Sequence, residues 1–152
     1  MDFNSDSRII IACANRITPW VESDLIQLGY EPVRVFKTGA ELRGSMLDCI
    51  RLNLSLRCAT QVRYSLGAFR ARQPEDIYRK ALEIAWENII PSDGYFSVNN
   101  SAEHLTLNNT MFINMKVKDA IVDRFRRQMG GRPDSGSDAD RTVIHQIGRA
   151  LV

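Results

Sequence analysis

The chain holds few of the groups that bring covalent or metal-based chemistry. Among 152 residues there are three cysteines and two histidines. Cys13, Cys49 and Cys58 show no Cys-x-x-Cys spacing. His104 and His145 stand at no ligand spacing from them, which excludes the usual zinc frameworks. The cysteines have apolar neighbours, as in "IIIAC" and "LDCIRL", so the expectation is buried free thiols in a reducing cytoplasm. No apolar run approaches the roughly 20 residues of a membrane span. The start, "MDFNSDSRIIIAC", has an acidic lead and too short an apolar run for a signal peptide. Internal repeats are absent, and low complexity is confined to the Gly/Ser/Asp loop "GGRPDSGSDADR". Ser65, Ser97 and Ser101 lack the neighbours that would make a serine nucleophilic.

What is present is a balanced composition, 44% hydrophobic and 25% charged. Such a chain can bury a core without disulfides or metal. Net charge is only +2, but its distribution is uneven. Residues 1–42 carry four bases against six acids, and 43–72 carry six arginines against Asp48. Residues 75–94 carry two bases against five acids, and 112–132 carry six bases against Asp119 and Asp123. Two basic blocks on a nearly neutral chain point to a local anionic partner, with charges scattered over solvated faces as the plainer alternative.

Periodicity orders the elements. "RIIIACAN" reads as a strand. "TPWVESDLIQLG" reads as a helix with Thr18 as N-cap, Pro19 first and Gly29 beyond its end. "VRVF" and "AELRG" read as strands around a "KTG" turn. Ser45 and Asp48 form a capping box for a helix whose apolar positions are Met46, Leu47, Ile50 and Leu54. "CATQVRYSLGAF" reads as one further strand. The order β-α-β-β-α-β is that of a ferredoxin-like unit over residues 8–69. A second unit opens at Gln73 with a helix bearing Ile77, Ala81, Leu82, Ile84 and Ala85. After it come the strand "YFSVNNS", a helix from Phe112 to Met129, the Gly/Ser/Asp loop, the strand "RTVIHQI", a "GR" turn and a returning "ALV". Because that last strand stops early, the chain is expected to be a piece of a longer polypeptide. Trp20 and Trp86 are expected in the core or between domains.

On a helical wheel Ile113, Val117, Ala120, Ile121 and Phe125 form one buried face. Lys116–Asp119 and Asp123–Arg127 are spaced to pair along the helix. Lys118 and Arg124 border the apolar face and lack a local acid, so they are free to reach phosphates. Arg63 alternates with Val62 and Tyr64 and should face away from its strand's core side. Arg70 and Arg72 continue that alternation, and Arg51 and Arg57 lie on or just past the preceding helix. Arg132 sits in "GGRP", where glycines let backbone approach an anion. His145 shares parity with Val143 and Ile147 and reads as partly buried.

These residues carry a resemblance. "SMLDCIRLNLSLRCATQVRYSLGAFRARQPEDIYRKALEIAWENII", "DGYFSVNNS" and above all "FINMKVKDAIVDRFRRQMGGRP" resemble the amino-terminal region of bacterial THUMP-containing methyltransferases. These are 23S ribosomal RNA guanine-N2 methyltransferases, often labelled adenine-specific DNA methylases. The resemblance covers residues 8 to 152. It implies an α+β chain with a ferredoxin-like domain over 1–69 and a THUMP domain over 70–152, the THUMP boundary starting near 44 if drawn by sequence. It also implies RNA, and ribosomal RNA in particular, as the partner. In the family a Rossmann-like methyltransferase domain of the same polypeptide follows and holds S-adenosylmethionine and an Asn-Pro-Pro-aromatic motif. No such motif and no Gly-rich strand–turn–helix occurs in these 152 residues. The expectation is therefore a cytoplasmic RNA-recognition region without catalytic or metal-binding residues. Its contact residues would be Lys116, Lys118, Arg124, Arg132, Arg57, Arg63, Arg70 and Arg72. The alternative is a protein-interaction module whose basic faces meet an acidic partner.

Overall fold

The computed structural model describes residues 4–69, 71, 73–100, 110–131, 134–135, 141–147 and 150–151. The chain divides into two compact units, residues 2–65 and 66–152.

In the first unit the strands β1 (Ser7–Ala12), β2 (Arg34–Phe36), β3 (Gly39–Gly44) and β4 (Gln61–Tyr64) alternate with the helices α1 (Thr18–Gln27) and α2 (Met46–Ser55). The four strands form one antiparallel sheet in the order β2-β3-β1-β4, which is the ferredoxin-like arrangement. Ile9, Ile11, Ala40 and Leu42 pack on Val21 and Leu25 of α1 and on Cys49 and Leu52 of α2. Burial pushes the Cys49 thiol up to about 11, so it is inert.

The helix ends show where local rules hold. Gly29, at φ +84°, follows the α1 C-cap. Tyr30 N–H reaches Leu25 O at 2.9 Å and Gly29 N–H reaches Ile26 O at 3.0 Å, a Schellman closure. The Ser45–Asp48 capping box of α2 is complete in both directions.

Three expectations change. Ile17, not Thr18, is the α1 N-cap. The Thr18 hydroxyl instead donates to the Lys37 carbonyl at 2.9 Å, tying the helix start to the β2–β3 turn. On α2 the buried positions are Cys49 and Leu52, while Leu47, Ile50 and Leu54 are exposed. An apolar spacing that fits a helix names a face without saying which face meets the sheet. Trp20 is likewise exposed on α1.

The second unit contains β5 (Gly67–Ala68), α3 (Pro74–Glu83), a 3-10 turn (Trp86–Asn88), β6 (Tyr95–Asn100), α4 (Thr110–Met129), β7 (Asp134–Ser135), β8 (Arg141–Ile147) and β9 (Ala150–Leu151). Its sheet runs β5-β9-β8-β6-β7, with β6 parallel to β7 and β8 and the remaining pairs antiparallel. The expected single strand through "CATQVRYSLGAF" is thus two, since β4 ends at Tyr64 and β5 joins the other sheet. The stretch expected to be wholly loop after α4 contributes the short strand β7. The five wheel positions of α4, from Ile113 to Phe125, are all at most 2% exposed. They pack with Ile77, Ala81, Trp86, Ile90 and Phe96. Among the described residues no helix is long and apolar enough to cross a membrane.

Candidate nucleic-acid interface

Of the bases proposed from the sequence, α4 carries three. Arg124 is a structural clamp: Nε and Nη2 donate to Glu87 at 3.1 and 2.6 Å, and Nη1 donates to the Leu82 carbonyl at 3.3 Å. Both side chains are 21% exposed. The hydrogen bonds from Arg124 hold the Glu87 carboxyl below the usual glutamate value. Lys116 does not pair with Asp119. It reaches Glu75 of α3 at 2.9 Å and lies 5.4 Å from the centre of the Phe112 ring. Asp123 accepts from Tyr78 at 2.8 Å and faces Arg126 at 3.6 Å, in place of Arg127. Glu87, Glu75 and Tyr78 come from a turn or helix packed alongside, which helical spacing alone cannot name, whereas Arg126 is an i,i+3 neighbour on α4 itself.

Lys118 differs: it is exposed and has no ion pair among the described residues. It lies on a cleft of about 620 Å³ between α3 and α4, lined also by Glu75, Tyr78, Lys116, Asp119 and Arg126. With Asp123 included, the lining holds three acids and three bases. The cleft as a whole is therefore charge-balanced, and only its rim can favour an anion. Lys118 and the exposed Arg126 supply that rim.

In the first unit the Arg57 guanidinium pairs with Asp24, and its backbone N–H also donates to that carboxylate at 3.2 Å. Asp24 is buried, and these bonds lower its pKa. Arg63 does face away from the core side, since it stands opposite Ile10 while Val62 stands opposite Ile11. It is half-buried, desolvation lowers its pKa, and its Nε has no hydrogen-bond partner among the described residues. Arg70, Arg72 and Arg132, and the side chain of His145, lie outside the described residues. Arg8, Arg34 and Arg43 share Arg63's sheet face. Counting charge in linear blocks passed over Arg8 and Arg34, because they sit in a segment that is acidic overall. No cluster of His, Cys, Asp and Glu suited to a metal occurs among the described residues.

The Arg124–Glu87 clamp has a testable cost. Glu87→Ala leaves a largely buried guanidinium without its counter-charge and is expected to destabilise the protein by about 2–3 kcal/mol in urea denaturation. The carboxylate titrates lower when folded, so the unfolded chain binds more protons and stability rises with pH. The contribution is whole above roughly pH 4.5 and falls away as the pH drops through the depressed folded value. Glu87→Gln should flatten that part of the acid limb. An unchanged acid limb would remove the clamp from the account.

The fold and this geometry bring the chain beside known proteins. Residues 8–63 match the RlmL ferredoxin-like domain, and residues 71–144 match the THUMP domain. The chain is an RlmL-type ferredoxin-like domain followed by a THUMP domain. This ferredoxin-like–THUMP chain is 32% identical over 126 residues to the ribosomal RNA large subunit methyltransferase K/L of Magnetococcus marinus. That match covers 83% of the chain and 18% of the relative. The Psychromonas ingrahamii protein of the same name is 32% identical over 131 residues, covering 86% and 18%. The chain thus spans about a fifth of the length of these curated relatives. Among solved structures, a predicted N6-adenine-specific DNA methylase from Listeria monocytogenes superposes with a TM-score of 0.81 at 24% identity, over 97% of this chain and 39% of that one. TrmN from Thermus thermophilus does so with a TM-score of 0.64 at 17% identity, over 95% and 43%. At these identities the structures establish the fold.

Proposed function

We propose that the chain is the RNA-recognition region of an S-adenosylmethionine-dependent ribosomal RNA methyltransferase of the cytoplasm. The observation that carries this is the succession of an RlmL-type ferredoxin-like domain and a THUMP domain, matched in relatives named as ribosomal RNA methyltransferases. The region would hold structured RNA and offer a nucleotide to a methyltransferase domain of the same polypeptide. The residues present do not fit the methyl donor, since the sequence contains neither an Asn-Pro-Pro motif nor a Gly-rich strand–turn–helix. Its binding belongs to the part of such enzymes that this chain does not match, and no catalytic step is assigned to these residues.

On this reading the cleft-side edge of α4 supplies phosphate contacts through Lys118 and Arg126. Arg124 and Arg57, whose charges are already met within the protein, act by holding the fold. Lys116 stands between these cases, because its partner Glu75 is itself exposed. Contacts of this sort give position and salt-dependent affinity, while RNA shape and unstacked bases give selectivity.

The test is fluorescence anisotropy with hairpins cut from large-subunit ribosomal RNA across a salt series. The expected result is tight binding at low salt that weakens steeply as salt rises. Lys118→Glu should reduce the magnitude of the log–log salt slope by about 1. An absence of binding at 50 mM salt, with capture of acidic polypeptide instead, would replace RNA recognition with protein interaction.

A further inference from the structure

The face of the ferredoxin-like sheet opposite its helices carries a charge pattern that the linear sequence hides. In antiparallel ladders, directly paired residues point to the same side. Arg8 pairs with Arg43, Ile10 pairs with both Glu41 and Arg63, and Glu41 pairs with Arg34. Phe36 and Ala12 each stand opposite Gly39 and complete the face, with Gln61 opposite Ala12. Ile9, Ile11, Ala40 and Leu42 point to the other side, where α1 and α2 cover them. All four strands therefore contribute one arginine each to the face opposite the helices.

The local acids do not neutralise this face. Glu41 reaches Arg8 only at 3.7 Å, and Asp6, just ahead of β1, accepts from Arg43 Nε at 2.7 Å. Four guanidiniums against two carboxylates leave a net of +2. Arg34 is exposed and its guanidinium lies 5.0 Å from the centre of the Phe36 ring. Stacking of that kind fixes the guanidinium plane and leaves its N–H edge directed outward. Arg63 brings a guanidinium whose Nε has found no acceptor among the described residues.

We propose that this sheet face is a second RNA-binding surface, one that takes a single-stranded segment. The inference rests on the RNA-recognition reading above and adds a surface to it. Arg8, Arg43 and Arg63 would meet phosphates, and Arg34, backed by Phe36, would stack on an unpaired base. From the outer strand β2 to the outer strand β4 the face spans about 14 Å, three interstrand spacings. A four-stranded sheet of that width suits two or three splayed nucleotides. A duplex offers no base faces to a stacked guanidinium, so it gains only the charge attraction. Arginine in every strand, with no lysine among them, favours planar and bidentate contacts over simple point charges.

The experiment uses the full chain and two labelled probes, a 12-nucleotide single-stranded RNA and a blunt RNA duplex of the same sequence. The substitutions are Arg34→Ala with Arg43→Ala, both at exposed positions, and Lys118→Glu for comparison. The double variant is expected to lose about tenfold or more in single-strand affinity and to lower the salt slope by about 1 to 2. Its duplex affinity should fall less. Lysines at positions 34 and 43 should restore the salt slope but not the full affinity for the single strand. Thermal melts check that each variant folds, and Arg34→Ala alone serves if the pair does not. If the double variant binds the single strand as wild type does while Lys118→Glu weakens RNA binding, the sheet-face proposal is wrong and the RNA reading stands. If the wild-type chain binds neither probe at 50 mM salt, both are wrong. Equal loss on the two probes would overturn the single-strand preference.

Discussion

Trp86→Ala is expected to lower the unfolding free energy by about 3–5 kcal/mol, since Trp86 is the largest fully buried side chain among the described residues. Trp86 is fully buried and packs with Ile77, Ala81, Ile113, Val117 and Phe125 in one cluster. Its removal leaves a cavity that the surrounding helices cannot close without moving. Its indole N–H donates to the Ala81 carbonyl at 2.6 Å, so truncation also removes the shorter of two hydrogen bonds to that carbonyl, the other coming from Ile84 N–H at 3.2 Å. Trp86→Phe separates the two contributions. It keeps most of the apolar volume and loses the hydrogen bond, for a smaller expected cost of about 1–2 kcal/mol. Urea denaturation of the full chain, with unchanged slope in each variant, is the measurement. A loss below about 1 kcal/mol for Trp86→Ala would mean that the cluster is looser than its burial indicates.

Gly39→Ala is expected to cost roughly 3 kcal/mol and to do so through the backbone. Gly39 has φ +156° and stands opposite Ala12 in the β1–β3 ladder. A β-carbon at this position would lie 2.0 Å from the Ile11 carbonyl oxygen. No rotamer relieves that contact, so the central strands must separate. Gly29 is the control. Its φ of +84° also disfavours a side chain, but a β-carbon there meets nothing within 4 Å. Gly29→Ala should therefore cost only about 1 kcal/mol, the conformational penalty alone. If the two substitutions melt at the same temperature, steric conflict at Gly39 is not the cause. Gly39 also fixes the β2–β3 hairpin that presents Arg34 and Phe36. A tolerated Gly39→Ala that weakens single-strand RNA binding would tie the hairpin's position to that surface.

The legible parts of this fold are those governed by neighbours a few residues apart. The capping box at Ser45 and Asp48 needs only three residues of reach. The Gly29 closure and the buried stripe of α4 are similarly local. Illegible from sequence were the choices that another element makes. Leu47, Ile50 and Leu54 formed an acceptable apolar stripe, yet Cys49 and Leu52 met the sheet. Thr18 had the chemistry of an N-cap, yet the Lys37 carbonyl took its hydroxyl. For the same reason, Arg124 looked free of acids along its own helix and found Glu87 from another turn.

The sequence by itself determined the helices and most of the strands in order, though not the split of β4 from β5 or the short β7, together with the two-domain class and the family to which each half belongs. Those follow from periodicity, turn chemistry and a long specific run of residues, all read along one dimension. Only the tertiary structure decided which charges are spoken for and which face outward. An ion pair forms between groups within a few ångströms in space, and Arg124 with Glu87 or Arg57 with Asp24 are distant in sequence. The arginine face exists for the same reason, because strand register, invisible in the sequence, is what lines up Arg8, Arg34, Arg43 and Arg63.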